Sequence, residues 1–200
     1  MNTAAVRANR RKLLILAAIV LLCAAGYMLV DVNFSNPKLL AYAMKIRTPK
    51  LIVMLITAFS IGGASLVFQS IINNTIVTPC LLGMNSLYTL IHTAVVFFLG
   101  SSSIIASNAN LSFAVDVVLM GITATIIYSW IFKKTKHNVL YVLLVGTVLT
   151  SFFSSVQTTL TRVMDPNEYD SLLNTLVASF SNVNSEIIVF SLILLAAVIF

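Results

Sequence analysis

Ionisable and strongly polar groups are scarce in this chain, and the informative ones stand inside apolar runs. Asp116 lies about one and a half turns inside such a run, where an ionised carboxylate costs several kcal/mol unless it is paired or wet. It reads either as a functional acid on a water-filled path or as an interfacial acid just below the outer surface, beside Asn108 and Asn110. His92 falls near the middle of another run, and offers a proton relay, a metal ligand, or a ring satisfied by a neighbouring helix. Gln69, Asn73 and Asn74 cluster with Thr75 and Thr78 ahead of Pro79, as amides lining an aqueous opening or as a polar interfacial turn. Neither HExxH, a Walker A loop, a Ser/His/Asp set nor paired carboxylates on one helix face occurs. Polar groups that are mostly amides and hydroxyls inside apolar helices suit a conduit better than a catalyst. Cys23 and Cys80 have no CxxC and no nearby histidine at ligand spacing, and read as buried thiols.

The elements that carry these residues follow from composition. Of 200 residues 59% are hydrophobic and 9% charged, against roughly 25% charged in a soluble domain. With a mean hydropathy of +1.01, the expected fold is all-α, a polytopic membrane helical bundle. A water-soluble globule, a disordered chain, a coiled coil and a disulfide scaffold are excluded. Spans are expected at about 13–30, 50–72, 81–99, 111–132, 139–160 and 187–200, in one transmembrane domain. The last run has 14 residues, about 21 Å of helix against a core of about 30 Å. The expectation is therefore five full spans and a partial sixth, the N-terminal part of a longer protein. The first run follows Arg7, Arg10, Arg11 and Lys12 but has 18 residues and no small-x-small site, so it reads as an uncleaved span.

All four prolines follow a residue able to cap a helix, and each is expected to open one. Pro49 and Pro79 would open the second and third spans, and Pro37 and Pro166 short connecting helices. In the last of these Asp165 and Glu168 make a capping box, and Tyr169, Leu172, Leu173, Leu176, Val177 and Phe180 form one stripe. This is an amphipathic helix at the membrane surface or against the bundle. Lys and Arg in short loops number seven inside and five outside if the N-terminus is cytoplasmic. The +6 net charge reads as loop charge facing anionic lipid, not as a nucleic-acid footprint. The outward count is carried by Lys38, Lys45, Arg47 and Lys50, a cluster that needs a task outside the membrane.

Read in order, Arg47-Thr48-Pro49-Lys50, then Phe68-Gln69 ending an apolar span, then Asn73-Asn74-Thr75-Ile76-Val77-Thr78-Pro79, then Leu82-Gly83, form a pattern. It resembles the permease subunits of ATP-binding-cassette importers for ferric siderophores and vitamin B12, whose motifs are R-x-P-R, a following Gln, R-N-P-L-A-x-P and L-G. Asp165-Pro166-Asn167-Glu168 and residues 178–184 look like the branch that imports catecholate siderophores such as petrobactin. The resemblance implies ten helices per subunit, a homo- or heterodimer of permeases above two ATPase subunits, and an extracytoplasmic binding protein that delivers the chelate. It implies no covalent chemistry in the permease and no resident cofactor or metal.

The same resemblance gives Arg47 and Lys50 the role of docking the binding protein, with lysine lacking the bidentate geometry of the family's second arginine. It places Asn74 and Ile76 at a cytoplasmic gate, with Thr75 where the family has proline, and Gln69 and Asn73 stand beside them as candidates for the translocation path. Lys133 and Lys134 stand in the position of a second gate loop that runs to His137. Asp165, Glu168 and Tyr169 would lie on an outer helix bordering the substrate vestibule. The loop that docks the ATPase is expected beyond residue 200. Haem or vitamin B12 are the alternative cargoes within the family. Outside it, the alternative is a stand-alone channel or integral enzyme that uses Asp116 and His92.

Overall fold

The structure is a computed structural model that describes residues 3–32, 36–135, 138–177, 180, 183 and 185–199. The described residues are helical, without a strand: α1 (Thr3–Leu29), α2 (Pro37–Ile72), a 3-10 turn (Pro79–Leu82), α3 (Met84–Leu99), α4 (Ile104–Ser107), α5 (Ala109–Thr135), α6 (Val139–Val163), α7 (Pro166–Leu176) and α8 (Ser185–Ile199). Asn9–Leu29, Pro37–Ile72, Ala109–Thr135 and Val139–Val163 are each long and apolar enough to cross a membrane. Met84–Leu99 and Ile187–Ala197 are shorter apolar helices. The chain folds as two compact units, residues 1–57 with 180–188, and residues 58–179 with 189–200.

In the first unit α1 leaves leucine and isoleucine exposed all round, among them Leu13, Ile15, Leu21 and Leu22. An element with no polar face and no buried stripe is one that lipid solvates. Cys23 is exposed on it, and Cys80 is exposed too, which corrects the expectation of buried thiols. A thiol in an apolar span needs only an apolar neighbour, and lipid supplies one.

Pro49 lies inside α2 and does not open it, so the expected break between a connecting helix and a second span is absent. Proline removes one backbone N–H, which leaves the carbonyl four residues earlier, at Lys45, without that partner. Within a membrane helix such a loss is tolerated where neighbouring groups cover the gap. An open groove lined by Met44, Lys45, Thr48, Pro49 and Ile52 of α2, with Ile188 of α8, marks the place. Pro37 does open the helix, with Asn36 Oδ1 accepting from Lys38 N at 3.0 Å.

In the second unit α3 packs most extensively on α6, and the 3-10 turn lies across α6 as well. Pro79 opens this turn, and the third apolar helix begins only after Gly83, whose φ of +81° ends the turn. The turn sits tightly on α6. A Cβ on Gly146 would stand 2.9 Å from Leu81 O and 3.0 Å from Leu82 Cα, so only glycine fits that crossing. Tyr128 from α5 donates its hydroxyl to Leu82 O at 2.7 Å and closes the site from the other side. Around this junction Phe68, Ile72, Val77, Leu82, Ile131, Val142 and Phe153 make the main core. A smaller core, Val96, Met164 and Leu172, sits under α7 at the far ends of α3 and α6.

Candidate functional site

Three groups of predicted residues occupy separate places. Arg47 on α2 reaches the end of α1, donating from Nη1 to Tyr27 O at 2.8 Å, Met28 O at 3.5 Å and Val30 O at 2.6 Å. Its guanidinium also lies 5.9 Å from the Tyr27 ring centroid. The last turn of α1 holds no basic residue, so Arg47 supplies both the donors and the positive charge that a helix C-terminus favours. Lys50, half-buried one turn further along α2, takes no part in this cap.

The second group ends α2. Asn73 takes a left-handed φ of +53°, Asn74 N bonds Gln69 O at 3.1 Å and Asn73 N bonds Ser70 O at 3.4 Å. These are the two reversed bonds of a Schellman cap with asparagine in the left-handed position. Asn74 Oδ1 then accepts from Ile76 N at 2.8 Å, which fixes the loop without the proline that Thr75 replaces. Ile76 is 77% exposed while Val77 is fully buried. Asn73 and Asn74 therefore punctuate the backbone in a turn, and Ile76 is exposed there beside Asn73 and Thr75. Lys133 and Lys134 lie in the last turn of α5, not in a loop, with residues 136 and 137 outside the described ones. The Phe68–Phe132 ring contact, with centroids 5.8 Å apart, brings this helix end and the end of α2 together. The gate candidates thus share one end of the second unit.

The third group lies towards the other end. Asp165 caps α7, its Oδ1 accepting from Asn167 N at 2.9 Å. Glu168 does not complete the expected capping box. It accepts instead from the backbone N–H of Ser101, in the turn after α3. Of the expected apolar stripe only Leu172 is fully buried, while Tyr169 and Leu173 stay exposed. Residues 178, 179, 181, 182 and 184 of the second likeness to the siderophore branch lie outside the described residues.

Deep beneath α7 the structure joins the two residues that the sequence left apart. His92 Nδ1 is 2.7 Å from Asp116 Oδ2, and His92 Nε2 is 2.8 Å from Thr175 Oγ1 on α7. Both ionisable residues are 4% exposed. Tyr88, one turn earlier on α3, stacks on the imidazole at 6.1 Å and 18°. Asp116 is thus a buried acid paired with a histidine. His92 is a ring satisfied by neighbouring helices, one of the readings its position allowed.

Thr175 went unnoticed in the sequence, where its one signal is its place one turn from the buried Leu172 on an amphipathic helix; the residue itself stays exposed while its hydroxyl reaches the ring. Thr175 Oγ1 also lies 2.8 Å from Leu172 O. Two oxygens at that separation need a proton between them, and the hydroxyl has only one. Nε2 must then donate to Thr175, and the remaining proton is shared between Nδ1 and Asp116. A nucleophilic hydroxyl would run the other way, giving its proton to the imidazole. The arrangement holds a helix rather than activating an attacking oxygen. Among the described residues no three histidine, cysteine or acidic side chains come together as a metal site.

Four helices of membrane-spanning length and apolarity among the described residues mark a multi-pass membrane protein. Residues 13–200 match the FecCD transport family, and the chain belongs to it. It is 31% identical over 180 residues to the petrobactin import system permease protein YclO of Bacillus subtilis, covering 90% of this chain and 56% of that protein. It is 33% identical over 193 residues to the petrobactin import system permease protein FatC of Bacillus anthracis, covering 94% and 54% respectively. The molybdate import system permease protein MolB of Haemophilus influenzae is 24% identical over 148 residues, 73% of this chain and 42% of that one. A solved chain described as an inward-facing conformation of a metal-chelate type ABC transporter shares the fold, with a TM-score of 0.65 and 22% identity over 90% of this chain and 56% of its own. This chain spans about half the length of the relatives it matches.

Proposed function

We propose that this chain belongs to the permease of an ATP-binding-cassette importer that carries ferric siderophores of the catecholate type into the cell. The observation that carries the reading is the agreement with two petrobactin import permeases, at 31% and 33% identity, along nearly the whole chain. The permease works as a homo- or heterodimer, with ATPase subunits on the cytoplasmic side and a siderophore-binding protein outside. Its N-terminus is cytoplasmic, its five spans and part of a sixth follow the six apolar runs, and its basic end groups meet anionic lipid. ATP binding and hydrolysis by the partner switch the dimer between outward and inward states, and the permease itself makes and breaks no covalent bond.

In this reading Lys50 seats an acidic patch of the binding protein, and Arg47 holds the α1–α2 corner in shape while adding positive charge beside it. Gln69, Asn73, Asn74 and Ile76, with Lys133 and Lys134, form the cytoplasmic gate, where Ile76 supplies the apolar plug and the amides set the turn. The helix of Asp165, Glu168 and Tyr169 borders the outer vestibule. The test is uptake of radiolabelled iron by cells that depend on this permease, offered as petrobactin-type catecholate, hydroxamate, haem and vitamin B12 in turn. Iron accumulating from the catecholate alone is the expected result. Uptake of haem or vitamin B12 in its place would reject the cargo, and no cargo moving at all would reject the importer.

A further inference from the structure

The polar chain from the buried Asp116 and His92 out to Thr175, which is exposed, spans three elements, α5, α3 and α7, and the transport reading gives it no task. Its members are unequal. Thr175 is the only polar contact that the C-terminal half of α7 makes with the membrane helices among the bonds described, and Glu168 to Ser101 is the matching contact of the N-terminal half. Leu172, 1% exposed between them, packs with Val96 and Met164. So α7 is fixed at two polar points with one apolar residue between, and the inner polar point depends on a histidine. That histidine is oriented in turn by Asp116, whose second oxygen, Oδ1, is buried with no partner among the described residues.

We propose that His92 is a positioning residue for cargo entry: fixed by Asp116 and by stacking on Tyr88, it holds α7 closed against the outer ends of α3 and α5. The proposal rests on the importer reading for the word cargo, and on the geometry alone for the latch. Imidazole suits the task because its two nitrogens face opposite ways, so one side chain bonds a carboxylate on one element and a hydroxyl on another. The proton count matters as well. With Nε2 donating to Thr175 and one proton between Nδ1 and Asp116, the group is neutral as a whole, which a membrane interior tolerates. Taking away either the ring or the hydroxyl releases α7 without touching the surface that meets cargo.

The test reads α7 directly. Amide hydrogen exchange of residues 166–176 is followed in the purified full-length protein in lipid nanodiscs, for the parent, Thr175→Val, Thr175→Ser, His92→Ala and His92→Gln. Thr175→Val keeps the shape of the side chain and loses only the hydroxyl. The expected result is exchange about three- to tenfold faster in α7 for Thr175→Val and His92→Ala, with α6 unchanged, and parent-like exchange for Thr175→Ser. His92→Gln, which keeps one amide donor, falls between. Iron uptake should drop in the two fast-exchanging variants and recover in Thr175→Ser. Unchanged α7 exchange in both Thr175→Val and His92→Ala overturns the latch. Faster exchange with full uptake overturns its part in cargo entry. A parent protein that moves no chelate sinks the importer reading instead, and the exchange data still decide the latch.

Discussion

Arg47 would hold two tasks under the proposed docking role, and they pull apart under mutation. Its Nη1 is committed to the carbonyls that end α1, at 2.6 and 2.8 Å for the nearer two, so reversing its charge breaks that corner whatever it does to the proposed docking surface. Lys50 carries no such bond, and is the cleaner probe. Lys50→Glu should weaken capture of the loaded binding protein about tenfold, as a rim charge does when its partner is acidic, with the melting temperature unchanged. Arg47→Lys keeps the charge but not the fork, and should lower stability by roughly 1–2 kcal/mol in a detergent melt with docking largely kept. Equal binding by Lys50→Glu and the parent would remove the docking assignment. At this scale the sequence exposed the ionisable residues inside apolar runs, because each is rare there. It could not pair them. The partner of His92 stands 24 residues away on α5 and the other 83 residues away on α7, and only packing brings them to one ring.

Between elements, the decisive contact is the crossing of the 3-10 turn over α6. Gly146 has a backbone oxygen 2.9 Å from where a Cβ would stand, and Gly83, at φ +81°, would meet Thr150 Oγ1 at 2.6 Å. Gly146→Val should push the turn off α6 and cost about 1–3 kcal/mol, seen as lower yield of folded protein and a lower melting temperature. Gly121, with nothing within 4 Å of its Cβ position, is the control, and Gly121→Ala should be silent. A melt for Gly146→Val that matches the parent would show that the crossing yields. Leu82-Gly83 was visible in the sequence through a family likeness, but Gly146 was not, since a lone glycine inside an apolar helix has no local signature. The helix starts were half legible for a similar reason. Pro37 and Pro166 open helices as their capping neighbours indicate, and Pro79 opens the 3-10 turn, but Pro49 stands inside one, because flanking helix formers and a membrane setting outweigh one missing N–H.

For the molecule as a whole, hydropathy alone set the class, since 59% hydrophobic residues leave no soluble alternative. Orientation is harder, because it rests on seven basic residues against five, and with a cytoplasmic N-terminus the cluster around Arg47 would count against the rule. Reporter fusions resolve it. Alkaline phosphatase joined after residues 103 or 170 should be active, and joined after residues 76 or 135 should be silent, with a cytoplasmic reporter giving the reverse. The opposite pattern at all four sites would invert the topology. The four membrane-length helices overlap four of the six expected runs, and two shorter apolar helices overlap the remaining pair, while helix ends depart from the expected bounds, most of all at Pro37–Ile72.

The hydroxyls of α6 and the ring of His92 differ in when they are satisfied. Thr150, Ser151, Thr158 and Thr159 each give their proton to a carbonyl four residues back, so they are satisfied as soon as that helix forms. His92 and Asp116 have no such local outlet, and Thr175 is made 83 residues after the histidine it receives. A growing chain therefore carries an incomplete polar group through the insertion of two further helices. Variants at that ring should be met first by the proteases that survey membrane insertion, and only the survivors by the transport cycle.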